Sequence, residues 1–330
     1  MVLRLAVIGA GVVGLSTAVA VQNRLPEAHV DVIADRFTTH TTSHGSGGLF
    51  VPYAEKIPEA LNDRWCRGSA KHFFGLAASS DAGASGVNFV SGFGLKSSEK
   101  DLKPWLKYMI NIQEIPDQFQ HLLKYYKGGY MFTTVIVEGA KYLPWLIQRL
   151  KANGGRLVQR KVGAFDELCD DYDLVFNCAG LGAGRLASDP KVQPVRGHLV
   201  RVSAPWIKYF IHSDDTHYFL PQSESAAIGG VRQLGRHDLT PEPHESERIL
   251  REMKERLPVL EGAKVLYDWV GLRPYRDPVR VEAEVLSCRG KQLKVIHNYG
   301  HGAYGISLSW GTGQYAAELA QQALTARPKL

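Results

Sequence analysis

Cysteine is scarce in this 330-residue chain. The four present, Cys66, Cys169, Cys178 and Cys288, lie far apart and form no C-x-x-C pair. That pattern argues against a zinc site, any other metal centre or a disulfide framework, and it suits a reducing compartment. Long apolar runs are missing too. Residues 5–21 come nearest, but glycines interrupt them and no cleavage site follows, so neither a secretory signal nor a membrane span is expected. Lysine and arginine are scattered, with no run of five, which speaks against a nucleic-acid partner although the formal net charge is +6. The chain contains no N-x-[ST] sequon, no internal repeat, no H-E-x-x-H, no P-loop and no G-x-S-x-G. What remains, 45% hydrophobic and 22% charged, is ordinary for a globular protein long enough for two domains.

The strongest positive signal stands in the first fourteen residues. Leu3, Leu5, Val7 and Ile8 have the composition of a buried parallel strand. Gly9-Ala10-Gly11-Val12-Val13-Gly14 follows, and Leu15, Ala18, Val19 and Val21 then recur with helical spacing. A strand, a G-x-G-x-x-G turn and a helix in that order fit a dinucleotide's pyrophosphate resting on a helix N-terminus. The motif leaves NAD(P) and FAD both open, and a glycine-rich turn without ligand is its bland reading. Residues 29–34 alternate as a second strand ending at Asp35, about twenty residues beyond the last glycine, where an acid would meet ribose hydroxyls.

Further along, residues 38–48 form a segment rich in threonine, serine and glycine that can offer N–H groups and hydroxyls to phosphates and a flavin ring. Residues 58–135 mix helical and strand-like pieces, including Val87–Val90, and read as an insertion. A helix with Pro144 near its start covers 142–150 and stops at Asn153-Gly154-Gly155. Residues 156–158 with Lys161-Val162 read as one strand, and 174–180 as a buried strand that returns the chain to the nucleotide sheet. From Val195 to about Val281 the pieces are alternating strands, interrupted by one helix at roughly 245–256. A last strand at 293–297, a glycine-rich turn at 299–305 and a helix at about 311–323 close the chain. The expected architecture is α/β: a discontinuous, Rossmann-like nucleotide domain (1–57, 136–190 and 282–330) and a mainly antiparallel substrate domain (58–135 and 191–281).

The downstream strand–turn–helix favours a flavin, because a helix N-terminus can stabilise negative charge on a reduced ring. Its bland reading is a simple strand-to-helix connection. Arg273 sits just after a strand and before Pro274, held where a guanidinium can fork onto a carboxylate. Tyr218 and Arg232 lie on neighbouring strands of the same expected sheet. Structural ion pairing is the ordinary role of such arginines, and a histidine beside glycines, like His301, is more often structural than a base.

Taken together the chain resembles the D-amino-acid oxidase family, its D-aspartate oxidase branch most of all. The resemblance runs over the whole length. It rests on residues 7–18, Ala34-Asp35-Arg36-Phe37-Thr38, Asn177-Cys178-Ala179-Gly180, Pro194-Val195-Arg196-Gly197, Val270-Gly271-Leu272-Arg273-Pro274-Tyr275-Arg276 and His297-Asn298-Tyr299-Gly300-His301-Gly302. It implies tightly bound, non-covalent FAD. It also implies that a D-amino acid loses its α-hydrogen as hydride to flavin N5 and that oxygen is reduced to hydrogen peroxide. The imino acid then hydrolyses to a 2-oxo acid and ammonia, and alignment replaces a protein base. By the same resemblance Arg273 pairs with the substrate α-carboxylate, Tyr218 supports it, and Ala303 lies beside the substrate. Gly9 to Gly14, Asp35, Arg36, Thr41, Thr42, Ser43, Gly48, Leu49, Val162, Gly180, Gly302, Gly305, Ile306 and Ser307 hold FAD.

Arg232 matches an arginine of the acidic-substrate branch, where a second cation favours D-aspartate and D-glutamate over neutral substrates. One departure is Ser43-His44-Gly45-Ser46-Gly47-Gly48, which replaces the family's more usual Asp-Val-Ala-Ala-Gly. A neutral D-amino-acid oxidase, a non-catalytic dinucleotide-binding protein and an NAD(P)-linked dehydrogenase are the alternatives. Pro328-Lys329-Leu330 shares two positions with a peroxisomal import tripeptide, so the peroxisomal matrix is the expected location and the import receptor an expected partner. A monomer or homodimer is expected.

Overall fold

The structure is a computed structural model that describes residues 2–97 and 104–325; residues 328–330, read above as an import address, lie outside them. The chain opens with β1 (Arg4–Ile8), α1 (Val12–Arg24) and β2 (His29–Ala34). It continues through α2 (Glu59–Ala77), α3 (Ala82–Ser85), β3 (Val87–Lys96), β4 (Ile110–Gln113) and β5 (Gly128–Val137). Then come α4 (Gly139–Ala152), β6 (Arg156–Gln159), β7 (Leu174–Asn177) and α5 (Gly182–Leu186). The strands β8 (Gln193–Ser203), β9 (Phe210–Ser213), β10 (Tyr218–Pro221), β11 (Ala226–Gly229) and β12 (Gln233–Leu234) follow. Last are α6 (Pro243–Arg256), β13 (Lys264–Cys288), β14 (Lys291–His301) and α7 (Gly305–Thr325).

These strands join in one sheet, ordered β4-β5-β3-β9-β10-β11-β8-β13-β14-β7-β1-β2-β6, with β12 paired to β8. The β14-β7-β1-β2-β6 portion is parallel. Such strands are covered on both faces, which is why residues 5–8 are apolar throughout. Leu5 and Val7 pack with Leu15, Ala18 and Val19 of α1 and with Ala316, Ala317 and Ala320 of α7. Ala6 and Ile8 face Val162, Phe165 and Leu168. From β14 to β10 each neighbouring pair is antiparallel. The helix α2 lies against α7, where Gly311 N donates to Ser69 Oγ at 2.9 Å.

Four details differ from the sequence reading. Lys161 and Val162 follow β6 as irregular chain rather than extending it. The final helix starts six residues earlier than its apolar pattern suggested, immediately after the glycine turn. Arg273 lies inside the 25-residue β13 rather than beyond a strand. Cys169 and Cys288, 119 residues apart, form a disulfide with a Cα–Cα distance of 6.3 Å. The β13–β14 hairpin brings Cys288 into the same apolar cluster that Cys169 borders, a contact that sequence spacing hides. Cys66 and Cys178 are buried free thiols. Among the described residues no helix is long and apolar enough to cross a membrane, and no His, Cys, Asp and Glu cluster could hold a metal ion.

Alternation along β8 separates two environments. Val200 and Val202 point toward Ile249, Met253 and Leu257 of the α6 segment, a burial that stabilises by roughly 1.5–3 kcal/mol per large side chain. Arg196 and His198 share that face and are fully buried. Arg196 Nη1 donates to Glu245 Oε2 at 2.8 Å and to Gln233 Oε1 at 2.9 Å, and its Nη2 to the Thr240 carbonyl at 2.7 Å. His198 Nδ1 meets the same Glu245 oxygen at 2.8 Å. Burial raises the Glu245 pKa, but these hydrogen bonds outweigh it and hold the carboxyl below the usual range. Glu245→Ala removes the nearer carboxylate of the buried Arg196 and leaves it only the half-exposed Asp238, 3.3 Å from its Nε, and denaturant unfolding should show a loss of about 3 kcal/mol; a loss under about 1 kcal/mol would contradict the assignment.

Candidate active site

A cavity of about 880 Å3 runs from the C-terminal ends of β1 and β2 to β10 and β13, large for a small-molecule site. At its first end are Gly9, Ala10, Gly11, Val12 and Val13. A Cβ on Gly14 would overlap the Gly9 carbonyl, and one on Gly9 would overlap the Cys178 carbonyl, so only glycines let strand, turn and helix approach this closely. The N-cap of α1 is Gly11, which has no side chain to cap with, the first turn holds no acidic residue, and Ser43 Oγ takes only the Val12 N–H. The positive end of the helix is therefore available to a phosphate. Asp35 and Arg36 lie on the same wall at the end of β2, both exposed.

The threonine- and glycine-rich segment forms the next stretch of wall, with Thr41, Thr42, Ser43, Gly48 and Leu49 all on it. Ser43 Oγ accepts from Val12 N at 3.0 Å, and Thr42 Oγ1 donates to the Leu272 carbonyl at 3.0 Å. These bonds tie the segment to α1 on one side and to β13 on the other. Gly180, Gly302, Ala303, Gly305 and Ile306 complete that middle region, where α7 begins.

Arg273, Tyr218 and Arg232 converge at the far end. Arg273 sits opposite Val195 in the β13–β8 ladder, and its guanidinium fills the space where a Cβ of Gly197 would be. Its Nη1 donates to the Val231 carbonyl at 3.3 Å, one residue from Arg232. Tyr218 faces Gly229 across β10–β11, and its ring occupies the missing side-chain space there. Burial pushes the Tyr218 phenol up, and the nearby guanidinium groups of Arg273 and Arg201 only partly oppose this. The hydroxyl therefore stays neutral and can donate. Arg232 is exposed to the cavity and has no ion-pair partner among the described residues.

Gly14, Val162 and Ser307 are not on the cavity wall. Gly14 packs on the Gly9 backbone, and Val162 is buried against Phe165 and Leu168. Ser307 Oγ accepts from Val51 N at 3.1 Å and reaches the Leu49 carbonyl at 3.3 Å, which locks the α7 start to the Leu49 region. His301 borders the cavity, but its Nε2 is engaged by Thr312 Oγ1 at 3.0 Å and burial pushes its pKa down to about 4. It is a neutral structural imidazole. Tyr304 falls in the glycine turn that sequence reasoning had placed there, whereas it missed Tyr53, Lys96 and Trp269, all on the wall. Of these only Trp269 had a local signal, since it lies four residues before Arg273 on the same face of β13.

The α1 N-terminus, the acid at the end of β2 and the long cavity fit a dinucleotide-dependent oxidoreductase. A family model described as FAD dependent oxidoreductase (DAO) matches residues 4–319. The chain belongs to this D-amino-acid oxidase family and uses FAD as its cofactor. It is 38% identical over 327 residues to human D-aspartate oxidase, covering 98% of this chain and 96% of that protein. It is 35% identical over 335 residues to a D-amino-acid oxidase of Rubrobacter xylanophilus, covering 98% of each. The glycine oxidase structure from Geobacillus kaustophilus superposes with a TM-score of 0.78 at 20% identity, over 97% of this chain and 95% of that one, and so shares its fold.

The buried His301 must take up a proton on unfolding below pH 6.5. Its contribution is complete above that pH and is lost as pH falls toward 4, on the order of 3 kcal/mol in all. Unfolding measured across pH 4–7 should show a decline that flattens in His301→Gln; an unchanged slope would refute the assignment.

Proposed function

We propose that the chain oxidises acidic D-amino acids, D-aspartate and D-glutamate, to the 2-oxo acid and ammonia, with oxygen reduced to hydrogen peroxide. Arg232 carries this reading. It faces the same cavity as Arg273 without an anionic partner among the described residues, and a pocket with two guanidinium groups suits a substrate with two carboxylates. The name of the human relative agrees, while the Rubrobacter relative keeps the neutral-substrate alternative open.

In this reading Arg273 forks onto the α-carboxylate, the Tyr218 hydroxyl donates to it, and Arg232 pairs with the side-chain carboxylate. Bound FAD supplies the two-electron acceptor. No protein base is assigned, because His301 is held by Thr312 and positioning alone can lower the barrier substantially. Gly9–Val13 receive the pyrophosphate, Asp35 and Arg36 the adenosine half, and the 41–49 and 302–306 segments the ring. Residues 1–57, 136–190 and 282–330 form the cofactor half, and 58–135 with 191–281 the substrate half.

Anaerobic titration with D-aspartate should bleach the flavin band. Arg232→Ala should lower kcat/KM for D-aspartate at least about thirtyfold, from the 2 kcal/mol or more expected for a lost buried charge pair, and spare D-alanine. Equal kcat/KM for the two substrates in the wild-type chain would overturn the acidic preference. A flavin that no D-amino acid bleaches would favour the non-catalytic reading.

The peroxisomal matrix is likewise proposed, from residues 328–330 alone. A fluorescent fusion ending in these residues should collect in peroxisomes, and a diffuse signal identical to that of a version lacking them would refute the address.

A further inference from the structure

A buried cation with no ion-pair partner among the described residues lies behind the Gly45–Gly48 turn; Glu138, whose carboxylate is held by Ser223 N and Oγ, attracts it only at longer range. Arg201, on the cavity-facing side of β8, is 3% exposed. Its hydrogen-bond partners are neutral: Nη2 donates to the carbonyls of Gly45 and Ser46, both at 3.1 Å, and Nη1 reaches Gln222 Oε1 at 2.5 Å and Ser225 Oγ at 3.5 Å. Its Nε has no partner. Gln222 Nε2 adds bonds to the carbonyls of Ser46 at 3.3 Å and Gly47 at 3.1 Å. An unpaired guanidinium is costly to bury, and burial pulls its pKa below the ordinary arginine value. A hydrogen-bonding latch for this turn would not need the charge.

Three successive carbonyls thus point at Arg201 and Gln222. In a trans peptide the N–H points opposite to the C=O, so the N–H groups of Ser46, Gly47 and Gly48 aim away from the cation. All three residues line the cavity, and none of these N–H groups donates to the protein among the described residues. Consecutive parallel N–H groups form a concavity for negative charge, and a charge behind polarised peptides strengthens their donors where the dielectric is low. The Trp269 indole lies against Gly45 and Gly271, filling the space a Cβ would take at either, and covers the turn.

We propose that Arg201 is a positioning residue that transmits its charge through these peptides to the cavity, favouring negative charge on the bound flavin. The inference rests on the FAD site above and is independent of the choice of substrate.

Sulfite is a direct probe, since this anion bleaches oxidised flavin more tightly where the surroundings favour negative charge. FAD-loaded wild-type, Arg201→Lys and Arg201→Gln proteins are titrated with sulfite, with FAD retention and melting temperature measured alongside. The lysine variant, which keeps the charge, should bind sulfite within threefold of wild type. The glutamine variant, which keeps donors but not charge, should bind it at least tenfold more weakly while retaining FAD. Unchanged affinity in Arg201→Gln, or equal weakening in both variants, would overturn the proposal in favour of a simple latch. Should Arg201→Gln fail to fold, Gln222→Met decides, because it loosens the turn and leaves the charge. Affinity within threefold of wild type supports the proposal, and a tenfold loss overturns it. A wild-type protein that takes up no FAD would instead remove the cofactor site itself.

Discussion

The hydrogen-bond ladders of β13 hold the two halves of the site in one frame. Along Lys264–Tyr275 this strand pairs with β8, and along Arg280–Cys288 it pairs with β14, with Tyr275 also opposite His301. Arg273, at the far end of the cavity, and the strand that leads into α7 are therefore fixed to the same backbone. Sliding one half past the other would break both ladders. Thr42, bonded to the Leu272 carbonyl, ties the cofactor-side segment to this strand one residue from Arg273. Orientation of substrate against flavin is the main demand of such chemistry, and a shared strand meets it without relying on a flexible junction.

Period-two alternation then assigns opposite duties to the two faces of β8. Arg196 and His198 are neutralised in place by Glu245 under α6. Val195, Leu199 and the bare backbone of Gly197 face the cavity, and Gly197 makes room for the Arg273 guanidinium. Positive charge is thus compensated where it supports the fold and left uncompensated where a ligand is to arrive. Arg232 is next to Gln233, whose amide bonds both Arg196 and Glu245, so the compensated network sits beside the uncompensated cation.

Local signals made the nucleotide end legible. A β-branched run, three spaced glycines and a helical pattern determine the strand–turn–helix within fourteen residues, and the acid at Asp35 follows at a fixed distance. Arg273 was legible as a site residue, and it does line the cavity, but not as a residue inside a long strand, because Pro274 removes a donor and reads as a terminator. In the structure Pro274 faces Pro194 across the ladder and the strand continues past it. The Val162 side chain serves a core cluster, a placement that its β-branched character does not distinguish from a cavity wall. The Arg201–Gly45 and Trp269–Gly45 contacts join residues more than 150 positions apart, and no local pattern announces them.

The Cys169–Cys288 bond closes a covalent ring through the chain. Tyr218, Arg232 and Arg273 all lie inside that ring, whereas the Gly9–Gly14 turn and α7 lie outside it. In the chain-entropy picture a loop of this size removes on the order of 4–5 kcal/mol of disorder from the unfolded state. That restriction falls on the long-range strands around Arg273, whose pairing partners are otherwise the hardest to bring together. The glycine turn at the other end forms from neighbours in sequence. Oxidised chain would thus begin folding with its distant half already confined, leaving the nearby half to local contacts.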